Sequence, residues 1–157
     1  MTSYVLDTGI LLGYIRGAGY ASYVENRFVV SEPPNIALIS VITVGEIYSL
    51  ALQFNWGEDK RKKLNEIIWK IPTIDINSRQ ILERYAEIDA YSQGKHPSKK
   101  LPPDITARNM GKNDIWIAAT GSVLKPLLLT IDHDFDHLNG VFLEVRCIDP
   151  TLRGSSG

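Results

Sequence analysis

Short aliphatic runs alternate along the chain with longer stretches of helical spacing. This alternation restricts the possible folds more than any other feature. Residues 4–6 form an apolar run that stops at Asp7-Thr8, and residues 127–131 form a second that stops at Asp132. Between them, residues 10–16, 43–54, 58–69, 78–92 and 114–124 carry helical periodicity, with further helical turns expected over 20–27 and 135–138. Residues 36–39 read either as a strand or as the lead-in to the next helix, residues 73–76 as a short strand, and 142–148 as a final strand or two. Gly17, Gly19, Gly57 and Pro72 punctuate these segments, and Pro33-Pro34-Asn35 marks a loop. In 78–92, Ile81, Leu82, Tyr85 and Ile88 are expected to share one buried face. The pattern predicts an α/β three-layer sandwich, with a mainly parallel central sheet and helices on both faces. Ligands of such folds bind outside the carboxyl ends of the strands.

The 157 residues suit one domain, expected over 1–150, with residues 151–157 as a flexible tail. Seventeen Lys and Arg stand against eighteen Asp and Glu, so bulk charge does not attract nucleic acid and any such site must be a local patch. A single cysteine, Cys147, excludes an internal disulfide and fits a reducing, cytoplasmic setting. The apolar run 36–44 is too short to span a bilayer, and residues 1–12 lack the pattern of a signal peptide.

The acidic residues meet this frame at the strand ends. Asp7 follows the first strand, and Asp132 follows the strand 127–131, with Asp134 and Asp136 behind it. Glu46 lies mid-helix among Ile42, Ile47 and Leu50, where burying a carboxylate is costly without a cation. Asp114 opens an apolar helix, Ile115-Trp116-Ile117-Ala118-Ala119. Asp7 and Asp114 can also be read as helix N-caps, and Asp132, Asp134 and Asp136 as turn residues; capping cannot explain Glu46. Carboxylates gathered together repel and raise one another's pKa. A hard divalent cation with oxygen ligands removes that conflict.

The segment Tyr4-Val5-Leu6-Asp7-Thr8-Gly9-Ile10-Leu11 resembles the opening of PIN domains, VapC-like toxin ribonucleases in particular. Ser40-Val41-Ile42-Thr43-Val44-Gly45-Glu46-Ile47 resembles the family's second motif, Asn113-Asp114-Ile115-Trp116-Ile117-Ala118-Ala119-Thr120 its third, and Thr130-Ile131-Asp132-His133-Asp134-Phe135 its fourth. The motifs follow family order over residues 4–138. Two positions depart from the pattern: Gly9 stands where the family usually has Asn, and Ile131 where Arg is common. The chain is also longer than the shortest members, with the extra length expected in 22–34 and 94–112.

The resemblance implies a metal-dependent ribonuclease that cleaves RNA phosphodiesters and is the toxin of a type II toxin–antitoxin pair. It implies one or two Mg²⁺ or Mn²⁺ ions held by Asp7, Glu46, Asp114 and Asp132, a cognate antitoxin and a homodimer. Thr8 and Thr130 are expected to orient the carboxylates, with Asp134 as an accessory; local turn or cap hydrogen bonds are the alternative role for the two threonines. Residues 95–112 are rich in Lys and Arg, and Lys99, Lys100, Arg108 and Lys112 are the expected phosphate contacts, against the alternative of a solvated loop. The basic run Lys60-Arg61-Lys62-Lys63 reads as a solvated helix face, and Trp56, Trp69 and Trp116 as core. His133 and His137 could imitate a transition-metal site with Asp132 and Asp136, but incidental histidines on a surface turn are the favoured reading. Two competing functions remain: a non-catalytic PIN-like module that binds RNA or protein, and a HAD-like phosphohydrolase with Asp132 or Asp134 as nucleophile.

Overall fold

A computed structural model describes residues 1–155. Its order is β1 (Ser3–Leu6), α1 (Thr8–Arg16), α2 (Gly19–Phe28), β2 (Ile36–Ser40), α3 (Val41–Gln53), α4 (Glu58–Lys70), β3 (Thr73–Ile74), α5 (Arg79–Ser92), α6 (Lys112–Leu124), β4 (Leu127–Thr130), a 3-10 turn (His133–Leu138) and β5 (Val145–Cys147). The five strands form one sheet in the order β3-β2-β1-β4-β5, with every pairing parallel. The chain therefore adds strands on one side of β1 first and on the other side later. That reversal opens a crevice between the carboxyl ends of β1 and β4.

Strand pleating divides the core in two. Tyr4, Leu6 and Leu129 face one way and pack with Ile10, Leu11 and Ile15 of α1, Val24 of α2, Ile47 of α3 and Leu64 of α4. Val5, Leu128 and Val145 face the other way and pack with Ile81, Ile88 and Tyr91 of α5 and Ile115, Ile117, Ala118 and Ala119 of α6. Helices thus cover both faces. Helix α6 is buried on most sides, which explains its lack of a polar stripe. The run 36–39 resolves as a strand that ends at Ser40, whose hydroxyl accepts from the Ile42 N–H and starts α3.

Several expectations change. Leu82 is exposed, and the buried face of α5 runs through Ile81, Ile88 and Tyr91 instead. Trp69, expected in the core, is 92% exposed, while Trp56 is buried with Lys60 Nζ 4.1 Å from its ring centroid. Residues 151–155, assigned to the tail, run back along α2. There the Gly154 N–H donates to the Gly19 carbonyl at 3.3 Å, and the Asn26 amide donates to Ser155 Oγ at 3.3 Å. Ser156 and Gly157, also assigned to the flexible tail, lie outside the described residues. Among the described residues, no helix is long and apolar enough to cross a membrane.

The two departures from the family pattern touch each other. A Cβ at Gly9 would lie 2.7 Å from Ile131 Cγ1 and 2.9 Å from its Cδ1. Ile131 packs into the core beneath α1, so it fills the space that a side chain at position 9 would take. Gly→Ala inside a helix ordinarily stabilises by ~0.5–1 kcal/mol. Here Gly9→Ala is expected to destabilise, and the combination Gly9→Ala with Ile131→Ala to show a coupling above ~0.5 kcal/mol in urea denaturation. Additive effects would show that the two positions do not compete for space.

Candidate functional site

The crevice between β1 and β4 is acidic. Asp7 directly follows β1 and caps α1: its Oδ1 accepts the Thr8 N–H at 2.8 Å. Its Oδ2 accepts the Thr130 hydroxyl at 2.7 Å. Thr130 is the last residue of β4, and its Oγ1 in turn accepts the Asp132 N–H at 3.0 Å. One buried hydroxyl therefore ties the end of β1 to the turn after β4. Asp132 then caps the 3-10 turn, with Oδ1 accepting the Asp134 N–H at 2.8 Å.

Glu46 reaches the site from α3. Its Oε1 accepts the Thr8 hydroxyl at 2.7 Å. Thr43, on the same face of α3 and fully buried, lies 3.3 Å from that hydroxyl. Thr43 was not singled out in the sequence, although its position three residues before Glu46 is the signal that would have found it. Asp114 arrives from the first turn of α6. It does not cap that helix, because α6 begins at Lys112 behind Gly111. The capping alternative therefore holds for Asp7 and fails for Asp114. Carboxylate oxygens of Asp114, Asp132 and Asp134 lie within 4.8 Å of one another.

The electrostatics match this crowding. Burial pushes the Asp7 carboxyl from its ordinary 3.8 up to about 6, against the lowering effect of its bonds from Thr130 and Thr8, with Glu46 and Asp132 adding repulsion. Asp114 is pushed up to about 7 by burial first, then by Asp7, Asp132, Glu46 and Asp134. Five carboxylates thus share one field. Among the described residues, none of them forms an ion pair with Lys, Arg or His. The oxygens of Asp114, Asp132 and Asp134, drawn from α6 and the turn after β4, fit a hard divalent cation at this spacing, and Asp7 and Glu46 add their charge to the same pocket.

The basic residues divide. Lys112 opens α6 two residues before Asp114. Arg108 is held by its N–H to the Ser92 carbonyl at 2.7 Å, and its charge acts on His137. Lys99 points elsewhere: its Nζ lies 5.5 Å from the Phe142 ring centroid, and the Phe142 carbonyl accepts from Ser122 at the far end of α6. Ser122 is eight residues beyond Asp114, or ~12 Å along the helix. The structure thus separates Lys99 from the carboxylates. Lys100 is exposed in the loop after α5. His137, expected on a surface turn, is buried, with Nε2 2.7 Å from Ser92 Oγ and its ring stacked on Tyr91. It belongs to the core rather than to the site.

No protein-family model matches the chain, and no curated protein matches it by sequence. Solved structures do. A chain of VapBC2 from Rickettsia felis, crystallised with a DNA fragment from its promoter, superposes with a TM-score of 0.73 and 21% identity over 94% of this chain and 100% of that one. Chains of VapBC-1 from nontypeable Haemophilus influenzae and VapBC-5 from Mycobacterium tuberculosis give TM-scores of 0.67 and 0.58. Their identities are 21% and 22%, over 93% and 94% of this chain and 98% of each of those. The chain shares the fold of these VapBC chains. In this PIN-like fold the carboxylates occupy the crevice that the strand order creates.

The raised carboxyls set the sign of a pH effect. The folded protein keeps protons on Asp7 and Asp114 that the unfolded chain releases near 3.8. Their contribution to stability is therefore full below about pH 4 and is lost as pH rises through about 6–7. In EDTA, the thermal midpoint is expected to fall between about pH 5 and about pH 8, and to fall less in Asp114→Asn. Melts across that range check this; a midpoint that rises or stays level contradicts it.

Proposed function

We propose that this chain is a divalent-metal-dependent endoribonuclease and the toxin of a type II toxin–antitoxin pair. In this reading Asp7, Glu46, Asp114 and Asp132 are the metal-binding and catalytic carboxylates, with Asp134 as an accessory. The observation that carries it is the convergence of these side chains on one crevice without a cationic partner among the described residues. The fold shared with VapBC chains supports an antitoxin partner and a cytoplasmic setting. A homodimer belongs to the same reading.

When bound, Mg²⁺ or Mn²⁺ supplies a water of lowered pKa and positive charge beside the scissile phosphate. The protein's own residues do the positioning. Thr130 holds Asp7 Oδ2 and the Asp132 backbone together, so the carboxyl groups at the ends of β1 and β4 keep a fixed separation. Thr8 does the same for Glu46 across the gap between α1 and α3. Lys112 opens α6 two residues before Asp114, and in this reading its charge meets a phosphate that approaches an otherwise acidic pocket. The HAD-like reading lacks support, because the Asp132 and Asp134 pair follows the fourth strand and caps a 3-10 turn.

Asp114→Asn separates catalysis from stability, since Asp114 caps nothing. Cleavage of RNA with Mg²⁺ or Mn²⁺ is expected to fall more than ~100-fold, beyond the range typical of residues that merely orient ligands. The metal-free mutant is expected to melt no lower than wild type, and to lose most of the added stability that metal gives wild type through RT ln(1 + [L]/Kd). Near-normal cleavage, or an equal metal response, would remove Asp114 from the site. A protein that binds RNA without EDTA-sensitive cleavage would instead be the non-catalytic module.

The basic rim gives a second test. Neutralising Lys112 or Arg108 is expected to reduce the salt slope of single-stranded RNA binding by ~0.7 for each lost contact. Lys99→Gln is expected to leave that slope unchanged, because Lys99 faces Phe142. Binding by filter retention across a salt series with an uncleavable RNA reads both.

A further inference from the structure

A second constellation lies beside the carboxylate crevice. His133 and Asp136 come from the 3-10 turn, and Cys147 ends β5. One donor atom from each lies within 4.8 Å of the other two. Side chains three residues apart eclipse on a 3-10 helix, so His133 and Asp136 stand together on one side of the turn. The sheet sets the position of Cys147: it pairs with Thr130 in register, and the Ile148 N–H donates to the Thr130 carbonyl at 2.7 Å. In the sequence, His133 with His137 was only the less favoured alternative to incidental surface histidines. The fold buries His137 and supplies Cys147 instead.

We infer that His133, Asp136 and Cys147 form a second metal site, separate from the carboxylate cluster, that takes a divalent transition ion such as Zn²⁺. The donor set argues for this class. Imidazole, carboxylate and thiolate together suit Zn²⁺ and Co²⁺, whereas Mg²⁺ favours oxygen donors alone. The geometry requires small movement. His133 Nδ1 and Asp136 Oδ2 are hydrogen-bonded at 2.7 Å, while neighbouring ligands of a tetrahedral ion lie ~3.4 Å apart. Opening that bond and drawing Cys147 inward each take about 1 Å, and His133 and Asp136 are exposed enough to adjust. Three protein ligands leave the solvent side for water, the arrangement of an open rather than a closed zinc site. An ion held there would pin the turn carrying Asp132 and Asp134 to β5.

Cobalt titration of the whole chain tests the site without using nuclease activity. Co²⁺ is expected to give a thiolate-to-metal charge-transfer band that saturates at one equivalent, since Cys147 is the only cysteine. Zn²⁺ should displace it and excess Mg²⁺ should not. The band should vanish in Cys147→Ser, weaken sharply in His133→Ala and persist in Asp114→Asn. Persistence in Asp114→Asn separates this site from the carboxylate cluster, so the two readings can fail independently. Should Cys147→Ser fold poorly by circular dichroism, wild type alone gives the answer through thiol labelling. Zn²⁺ should slow reaction of Cys147 at least ~10-fold and Mg²⁺ should not, because a metal-bound thiolate is shielded from reagent. No charge-transfer band, a band that survives unchanged in Cys147→Ser or His133→Ala, or labelling indifferent to Zn²⁺ overturns the inference.

Discussion

The hydroxyl of Thr130 holds the candidate site together. It is fully buried at the end of β4, donates to Asp7 Oδ2 and accepts from the Asp132 backbone. A hydroxyl can serve both sides because it carries one donor and two acceptor lone pairs. Without it, Asp7 would lose the side-chain hydrogen bond that most opposes its rise in pKa. The bond also links the two strands flanking the switch in strand order, so site geometry and sheet geometry are one constraint.

The carboxylate cluster is a cost that the core must carry. Raising Asp7 from 3.8 to about 6 corresponds to about 3 kcal/mol of stability lost on deprotonation. Fully burying one Ile or Leu contributes ~1.5–3 kcal/mol. One or two of the wholly buried residues Ile10, Leu11, Ile117 and Leu128 therefore offset the charge at Asp7. The two-sided core makes that cost tolerable, and a bound cation would remove much of it.

The parallel sheet was legible in the sequence because its inner strands are short apolar runs closed by a polar residue, as at Leu6-Asp7 and Ile131-Asp132. Glu46 was legible because its apolar helical neighbours leave it no ordinary surface role. Other features depend on tertiary packing that periodicity does not encode. Leu82 and Trp69 keep helical spacing yet face solvent, since the width of the covered face is decided by the neighbouring helix. His137 shares a helical spacing with His133 but is buried, because a 3-10 turn brings positions three apart together rather than four. The path of residues 94–111, which carries Lys99 to Phe142, has no periodic signal at all.

The carboxylates that meet in the crevice come from the end of β1, the middle of α3, the first turn of α6 and the turn after β4. Their sequence positions span residues 7 to 134 of 157. During synthesis the chain therefore lacks β4, the neighbour of the central β1, and with it Thr130 and Asp132, until the segments carrying Asp7, Glu46 and Asp114 have already been made. No shorter nascent fragment can assemble the crevice. The order of strands along the chain thus keeps the acidic pocket unformed until residues 127–134 have left the ribosome.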